Sequence, residues 1–183
     1  MKKRILVLTG SPRKGGNTEL LAEAFIKGAE AAGHTVMKYE TAVKHIGGCE
    51  ACNSCYTQEG QACVFKDDFN MLAPMMENCD VIVIATPLYW FTFPAQLKAA
   101  LDKMYSLLIG GIQSNIKESM LLACAGGAEE SDFDGLVKTY ELIAAYQNWT
   151  DLAHLLVPSV HEKGDILNTH ALKKAEELGL SLK

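Results

Sequence analysis

Nothing in this sequence lays lysine and arginine along one stripe, and its 183 residues carry a formal net charge of −5 with a pI near 5.5. A nucleic-acid backbone is bound by a row of cations that displaces its counterions, so nucleic acid is excluded as the main partner. Also missing is any apolar segment approaching the roughly 20 residues that a membrane-spanning helix needs. The N-terminus places charge before an apolar stretch, but Ile5 to Leu8 is too short for a signal-peptide core, and glycine and charge follow at once. The expected setting is the cytosol, with no membrane partner. The five histidines are scattered without the spacing of a paired metal site, and no catalytic triad or carboxylate pair can be read.

What is present suits one globular domain spanning residues 1–183: 49% of residues are hydrophobic and 21% charged. Four of the six cysteines fall between Cys49 and Cys63, in a cysteine-rich insertion at about 45–66. In a reducing compartment such a cluster reads as metal or redox chemistry before it reads as disulfides. Cys79 and Cys124 lie in apolar or helix-end surroundings and are expected to be buried, inert thiols.

Continuous apolar runs predict strands at Ile5 to Thr9, Asp80 to Thr86 and Ser119 to Ala125, alternation predicts an edge strand at His34 to Tyr39, and a last strand is expected at about His154 to Ser159. Helical spacing predicts helices over Thr18–Ala32, Asp67–Asn78, Pro94–Leu108, Asp132–Trp149 and Thr169–Leu178. Alternating strands and helices define an α/β protein, a three-layer doubly wound sheet of five parallel strands. Five strands and five helices fit a flavodoxin-like sheet of order 2-1-3-4-5, whose ligands bind between the first and third strands. Asp67 and Asp68 are expected to cap the helix that follows them, and Lys98, Asp102 and Lys103 to form a solvated helix face.

The loop Gly10 to Thr18, GSPRKGGNT, stands at that switch point. Its glycines let the backbone turn close to an anion, and the following helix offers unpaired N–H groups and a positive dipole end. It is not a Walker loop, since Lys14 precedes Gly15 rather than Ser or Thr, and not a Rossmann fingerprint, since Pro12 stands where the second glycine belongs. A plain strand-to-helix turn with Thr18 as its cap is the alternative.

SPRKGGNT resembles the S-x-R-x-x-G-N-T phosphate loop of the NADPH-dependent FMN reductase family, and TPLYWFTFPAQLKAALDK resembles that family's second flavin loop and its helix. The resemblance runs from about Ile5 to Ala125. It implies that Ser11, Arg13, Asn17 and Thr18 hold an FMN phosphate, that Pro87, Leu88, Tyr89 and Trp90 wrap the isoalloxazine ring, and that Gly126 and Gly127 approach its other edge. The aromatic residues of one loop suit a flat ring; an aromatic plug over the sheet or a subunit contact is the alternative.

Cys49, Cys52, Cys55 and Cys63 form C-x2-C-x2-C-x7-C, and two successive CxxC spacings match the compact part of a bacterial ferredoxin-like run. The tight triplet suits zinc poorly, no evident helix start activates either pair as a redox dithiol, and no proline follows Cys63. The pattern resembles that of iron-sulfur flavoproteins, which implies a 4Fe-4S cluster beside the flavin; a cluster-free flavoprotein is the other reading.

The expectation is an FMN-dependent NAD(P)H oxidoreductase passing electrons to a quinone, free flavin or similar small acceptor, with no side chain acting as nucleophile or base because the flavin carries the chemistry. The alternatives are an iron-sulfur flavoprotein trading electrons with a ferredoxin-like carrier, and a non-catalytic flavodoxin-type carrier. Arg13, Lys14 and the modest net charge count against the last. Family resemblance implies a homodimer or homotetramer.

Overall fold

Three apolar strands, buried along nearly their whole length, form the centre of the sheet: β1 (Arg4–Thr9), β3 (Val81–Pro87) and β4 (Glu118–Cys124). Only strands covered on both faces can be apolar without alternation, and these are. The half-exposed β2 (Thr35–Glu40) and β5 (Thr150–Val157) take the edges. All pairings are parallel, in the order β2-β1-β3-β4-β5. The computed structural model describes all 183 residues.

Alternate residues of the central strands face two separate apolar clusters. Leu6, Leu8, Ile82, Ile84 and Leu121 pack under α2 (Phe69–Asn78), α3 (Ala95–Lys103), α4 (Tyr105–Ile109) and α5 (Asp134–Tyr146). Ile5, Val7, Val81, Val83 and Leu122 pack under α1 (Asn17–Ala31) and α6 (Ala171–Ser181). Those two helices touch at glycine: a Cβ on Gly28 would lie 2.0 Å from the Glu176 carbonyl oxygen, and one on Gly179 2.3 Å from that of Phe25. The approach sets α1 firmly against α6, and so fixes the helix that opens on the ligand loop.

Several expected boundaries move. The helix expected over Pro94–Leu108 breaks at Met104, whose N–H turns back to the Leu101 carbonyl, giving α3 and α4 in place of one helix and six helices in place of five. The helix expected from Asp132 to Trp149 begins as a 3-10 turn at Glu130–Phe133 and ends at Tyr146; Asn148, at φ +57, stops it, and Trp149 turns into the core. β5 starts at Thr150, not His154, and ends at Val157. Its register slips between Asp151 and Ala153, so the bulge at Leu152 breaks the alternation by which the sequence could have marked it.

Candidate functional site

The carboxyl ends of β1, β3 and β4 open on a cleft of about 200 Å³. Eight of the ten residues expected at a flavin site line it: Ser11, Arg13, Asn17, Thr18, Pro87, Leu88, Tyr89 and Gly126. Trp90 and Gly127 do not.

The loop after β1 is drawn into a turn by its own polar groups. The Arg13 N–H donates to Ser11 Oγ at 3.2 Å, and the Gly16 N–H to the Arg13 carbonyl at 3.0 Å. A Cβ on Gly16 would stand 2.8 Å from that carbonyl. Gly15 donates its N–H to the Glu19 carboxylate, and this bond, with Lys38 adding to it, holds Glu19 below the usual carboxylate range. α1 then starts after Gly16 with no side-chain cap, so Thr18 is not the cap that a plain turn would use. The N–H groups of Asn17 and Thr18 have no protein acceptor, which is the arrangement that receives an oxyanion.

Asn17 departs from its expected part. Its amide nitrogen donates to the carbonyls of Val160 (3.0 Å) and Glu162 (2.8 Å), and its oxygen accepts from the Gly164 N–H (2.9 Å). The side chain is spent within the protein, leaving its backbone N–H for a ligand. Thr18 is buried with its hydroxyl beside the Cys124 thiol, which burial pushes up to about 12. Cys79 is likewise buried and pushed up to about 12 by burial, so both thiols stay protonated near neutrality, as expected of inert cysteines.

After β3 the chain makes a two-residue hairpin. Tyr89 and Thr92 exchange N–H···O bonds of 3.1 Å each, and the two residues between them, Trp90 (φ +46) and Phe91 (φ +63), both sit in the left-handed region. Such turns ordinarily carry Asn and Gly. The turn sends the Trp90 side chain outward, 92% exposed, and Trp90 does not line the cleft. Pro87, Leu88 and Tyr89 supply the apolar shelf instead. Gly127 accepts from the Ser159 N–H at 2.8 Å and packs on the Asp132 carboxylate, supporting the loop from outside the cleft. Val160, His161, Cys124 and Ala125 line the cleft without having been singled out by any sequence motif.

The four clustered cysteines line one small pocket, with Cys63 buried, Cys55 half-buried, and Cys49 and Cys52 exposed. No three His, Cys, Asp or Glu side chains converge as a ligand set for one metal ion. Ala51, Asn53 and Tyr56 have φ of +51°, +55° and +57°, a run of left-handed residues between and after the thiols. Backbone of this kind forms the N–H-lined nests that surround anionic centres, iron-sulfur sites among them. Burial raises the Cys55 thiol above its ordinary value, and its neighbours Cys63, Cys52 and Cys49 raise it further.

Lys103, expected on a solvated face, is instead 3% exposed and paired with Asp67, and it lines the cysteine pocket. Asp67 accepts from the Phe69 N–H at 3.0 Å and from the Gly47 N–H at 2.9 Å, whereas Asp68, at the N-cap of α2, makes no side-chain cap bond. Asp68 accepts from the His45 N–H at 2.7 Å. The two aspartates thus tie the cysteine segment to the start of α2.

An open parallel sheet with an uncapped helix end and an apolar shelf at its switch point defines a flavodoxin-like mononucleotide-binding protein. The sequence profile of the family described as NADPH-dependent FMN reductase matches residues 3–140, and the chain belongs to that family. It is accordingly an oxidoreductase that uses FMN and NAD(P)H. An "Iron-sulfur flavoprotein" of Archaeoglobus fulgidus is 30% identical over 177 residues, covering 94% of this chain and 75% of that protein. A "Putative NAD(P)H-dependent FMN-containing oxidoreductase YwqN" of Bacillus subtilis is 25% identical, covering 96% of each. Among solved structures, an NAD(P)H:quinone oxidoreductase from Methanothermobacter marburgensis superposes with a TM-score of 0.77 at 19% identity, over 98% of this chain and 96% of that one. An azoreductase from Bacillus anthracis superposes with a TM-score of 0.75 at 16% identity, over the whole of both chains. These structures share the fold.

Proposed function

We propose that the cleft between β1, β3 and β4 holds FMN and that the enzyme passes electrons from NAD(P)H to a small diffusible acceptor such as a quinone or free flavin. The observation that carries this is the joining, in one cleft, of an anion-receiving end to an apolar shelf: Ser11, Arg13 and the first N–H groups of α1 on one side, Pro87, Leu88 and Tyr89 on the other. A molecule with a phosphate at one end and a flat ring at the other matches both. Bound flavin supplies the hydride and electron chemistry; the chain's task is to hold it. Arg13 supplies charge for the phosphate, the turn at Gly15 and Gly16 brings N–H groups close to it, and the apolar shelf keeps water from one edge of the ring. The names of related folds point to quinones and azo compounds as acceptors.

Purified protein should be yellow and should oxidise NADPH or NADH in steady state when supplied with a soluble quinone or free FMN. Colourless protein that takes up no added FMN would refute the assignment.

We further propose that Cys49, Cys52, Cys55 and Cys63 hold a 4Fe-4S cluster, on the strength of four thiols lining one pocket with left-handed backbone between and after them. A cluster would let the flavin's electron pairs be exchanged singly with a ferredoxin-like carrier. Six free thiols accord with a reducing compartment, and no helix is long and apolar enough to cross a membrane; we place the enzyme in the cytosol. We also propose that it works as a homo-oligomer, on the evidence of the exposed apolar face formed by α4 and α5.

A further inference from the structure

The segment after β5 carries no motif, yet Val160 and His161 form a wall of the cleft. It is held from two sides. The Ser159 N–H donates to the Gly127 carbonyl at 2.8 Å and the Val160 N–H to that of Ala125 at 2.9 Å, fastening it to the loop after β4. From the other side comes Asn17. A primary amide has two donors and an oxygen with room for two acceptances. Here the donors go to the carbonyls of Val160 and Glu162, and the oxygen receives the N–H of Gly164 at 2.9 Å and that of Ile166 at 3.4 Å.

The two carbonyls that Asn17 grips flank a single residue, His161. Its ring lies on Gly126, where a Cβ would come within 2.7 Å of Nδ1, and its side chain remains 80% exposed on the cleft side. The nearest opposing charge is Glu162, whose carboxylate is 3.6 Å from His161 Nε2 and is itself 81% exposed. The same segment places the Lys163 ammonium 3.2 Å from where a Cβ on Gly15 would stand, over the turn that opens α1.

We propose that His161 is a ligand of the FMN phosphate and that Asn17, rather than binding the phosphate through its side chain, is the positioning residue that presents it. The inference rests on the reading that the cleft holds FMN. The clamp begins at the first residue of α1, the same helix end whose free N–H groups meet the anion, so His161 is hung from the part of the site where charge is needed. A hydrogen bond to a charged group from such a position contributes enough to alter affinity by about tenfold.

The test compares FMN with riboflavin, which lacks the phosphate, by quenching of flavin fluorescence on the full chain freed of its flavin. His161→Gln should weaken FMN about tenfold and leave riboflavin within about twofold, while His161→Arg, which keeps N–H donors at the same position, should stay within about twofold of the parent for FMN. Asn17→Ala should give the same FMN-selective loss, and the double variant should be at most about twofold worse than Asn17→Ala alone, because the two act as one unit. Unchanged FMN affinity in His161→Gln, equal losses of FMN and riboflavin, or additive losses in the double variant would each overturn the proposal. If Asn17→Ala fails to fold, the exposed His161 pair still decides the matter by the FMN-to-riboflavin ratio. A parent protein that binds no FMN would overturn the reading of the cleft instead.

Discussion

A lysine side chain exposed to only 3% keeps its charge by keeping a partner, and Lys103 has Asp67, itself 7% exposed. Removing one member leaves the other's charge buried and uncompensated, at a cost of about 3–5 kcal/mol, whereas removing both charges returns much of it. Lys103→Met should therefore lower stability in urea unfolding by about that amount, and adding Asp67→Asn should recover part of it, since Asn keeps an acceptor for the Phe69 and Gly47 N–H groups. A loss under about 1 kcal/mol in the single variant would show that the pair is solvated after all. Lys98, Asp102 and Lys103 look alike in the sequence, and two of them behave as their spacing suggests, Lys98 and Asp102 pairing at 2.5 Å on the surface. The third differs because α3 ends where the cysteine segment begins to fold over it, a contact across 36 residues of chain that no local pattern encodes. Asn17 illustrates the same limit: its place in the cleft was legible from the loop motif, but the carbonyls it grips lie more than 140 residues away.

Among elements, those whose burial is uniform were the ones that could be read. β1, β3 and β4 announce themselves as unbroken apolar runs because helices cover both faces, while β5 is half-exposed and bulged, and its Asp151 and His154 obscure any alternation. The cysteine segment has no periodicity at all, yet it is held by contacts that need no metal. The Asn70 side chain accepts from the Cys63 N–H at 2.8 Å and donates to the carbonyls of Cys63 (3.1 Å) and Phe65 (2.9 Å), Tyr105 bonds Asn53 at 3.0 Å, and Tyr56 donates to Glu77. A zinc finger collapses without its ion because nothing else orders its loop. Here the loop should survive. Anaerobically purified protein should contain about four iron and four sulfide per chain. Cys55→Ser and Cys63→Ser should lose that iron while keeping FMN and melting within a few degrees of the parent, as expected of loops fixed independently of the metal. Folded, FMN-loaded protein from anaerobic cells with neither iron nor sulfide would reject the cluster and leave the cysteines as free thiols.

At the scale of the whole molecule, the cysteine pocket runs into an apolar strip on one side. Tyr105 belongs both to the cysteine pocket and to a groove of about 410 Å³ between α4 and α5, where Leu108, Leu142 and Tyr146 stand exposed. Near it the hairpin after β3 holds Trp90 and Phe91 outward in left-handed conformations, each at a cost of about 1–3 kcal/mol, and its Phe91 carbonyl rests on Gly135 at the start of α5. Strain and exposed aromatic surface together are hard to account for in a chain that stays alone, since isolated domains seldom keep contiguous apolar patches of this extent in water. A second copy laid across α4 and α5 would cover the strip, and a stable contact needs about 800 Å² from each partner. Leu142 and Tyr146 lie a helical turn apart on α5, so Leu142→Glu with Tyr146→Glu places two like charges in the middle of that contact without touching the core or either site. Sedimentation of the parent at micromolar concentration should give a dimer or tetramer and the double variant a monomer of unchanged circular dichroism. Because Trp90 faces away from its own cleft, its fluorescence should also shift to the red on dissociation; a parent that sediments as a monomer, with Trp90 emission already that of a fully solvated indole, would mean that the strip has some other use.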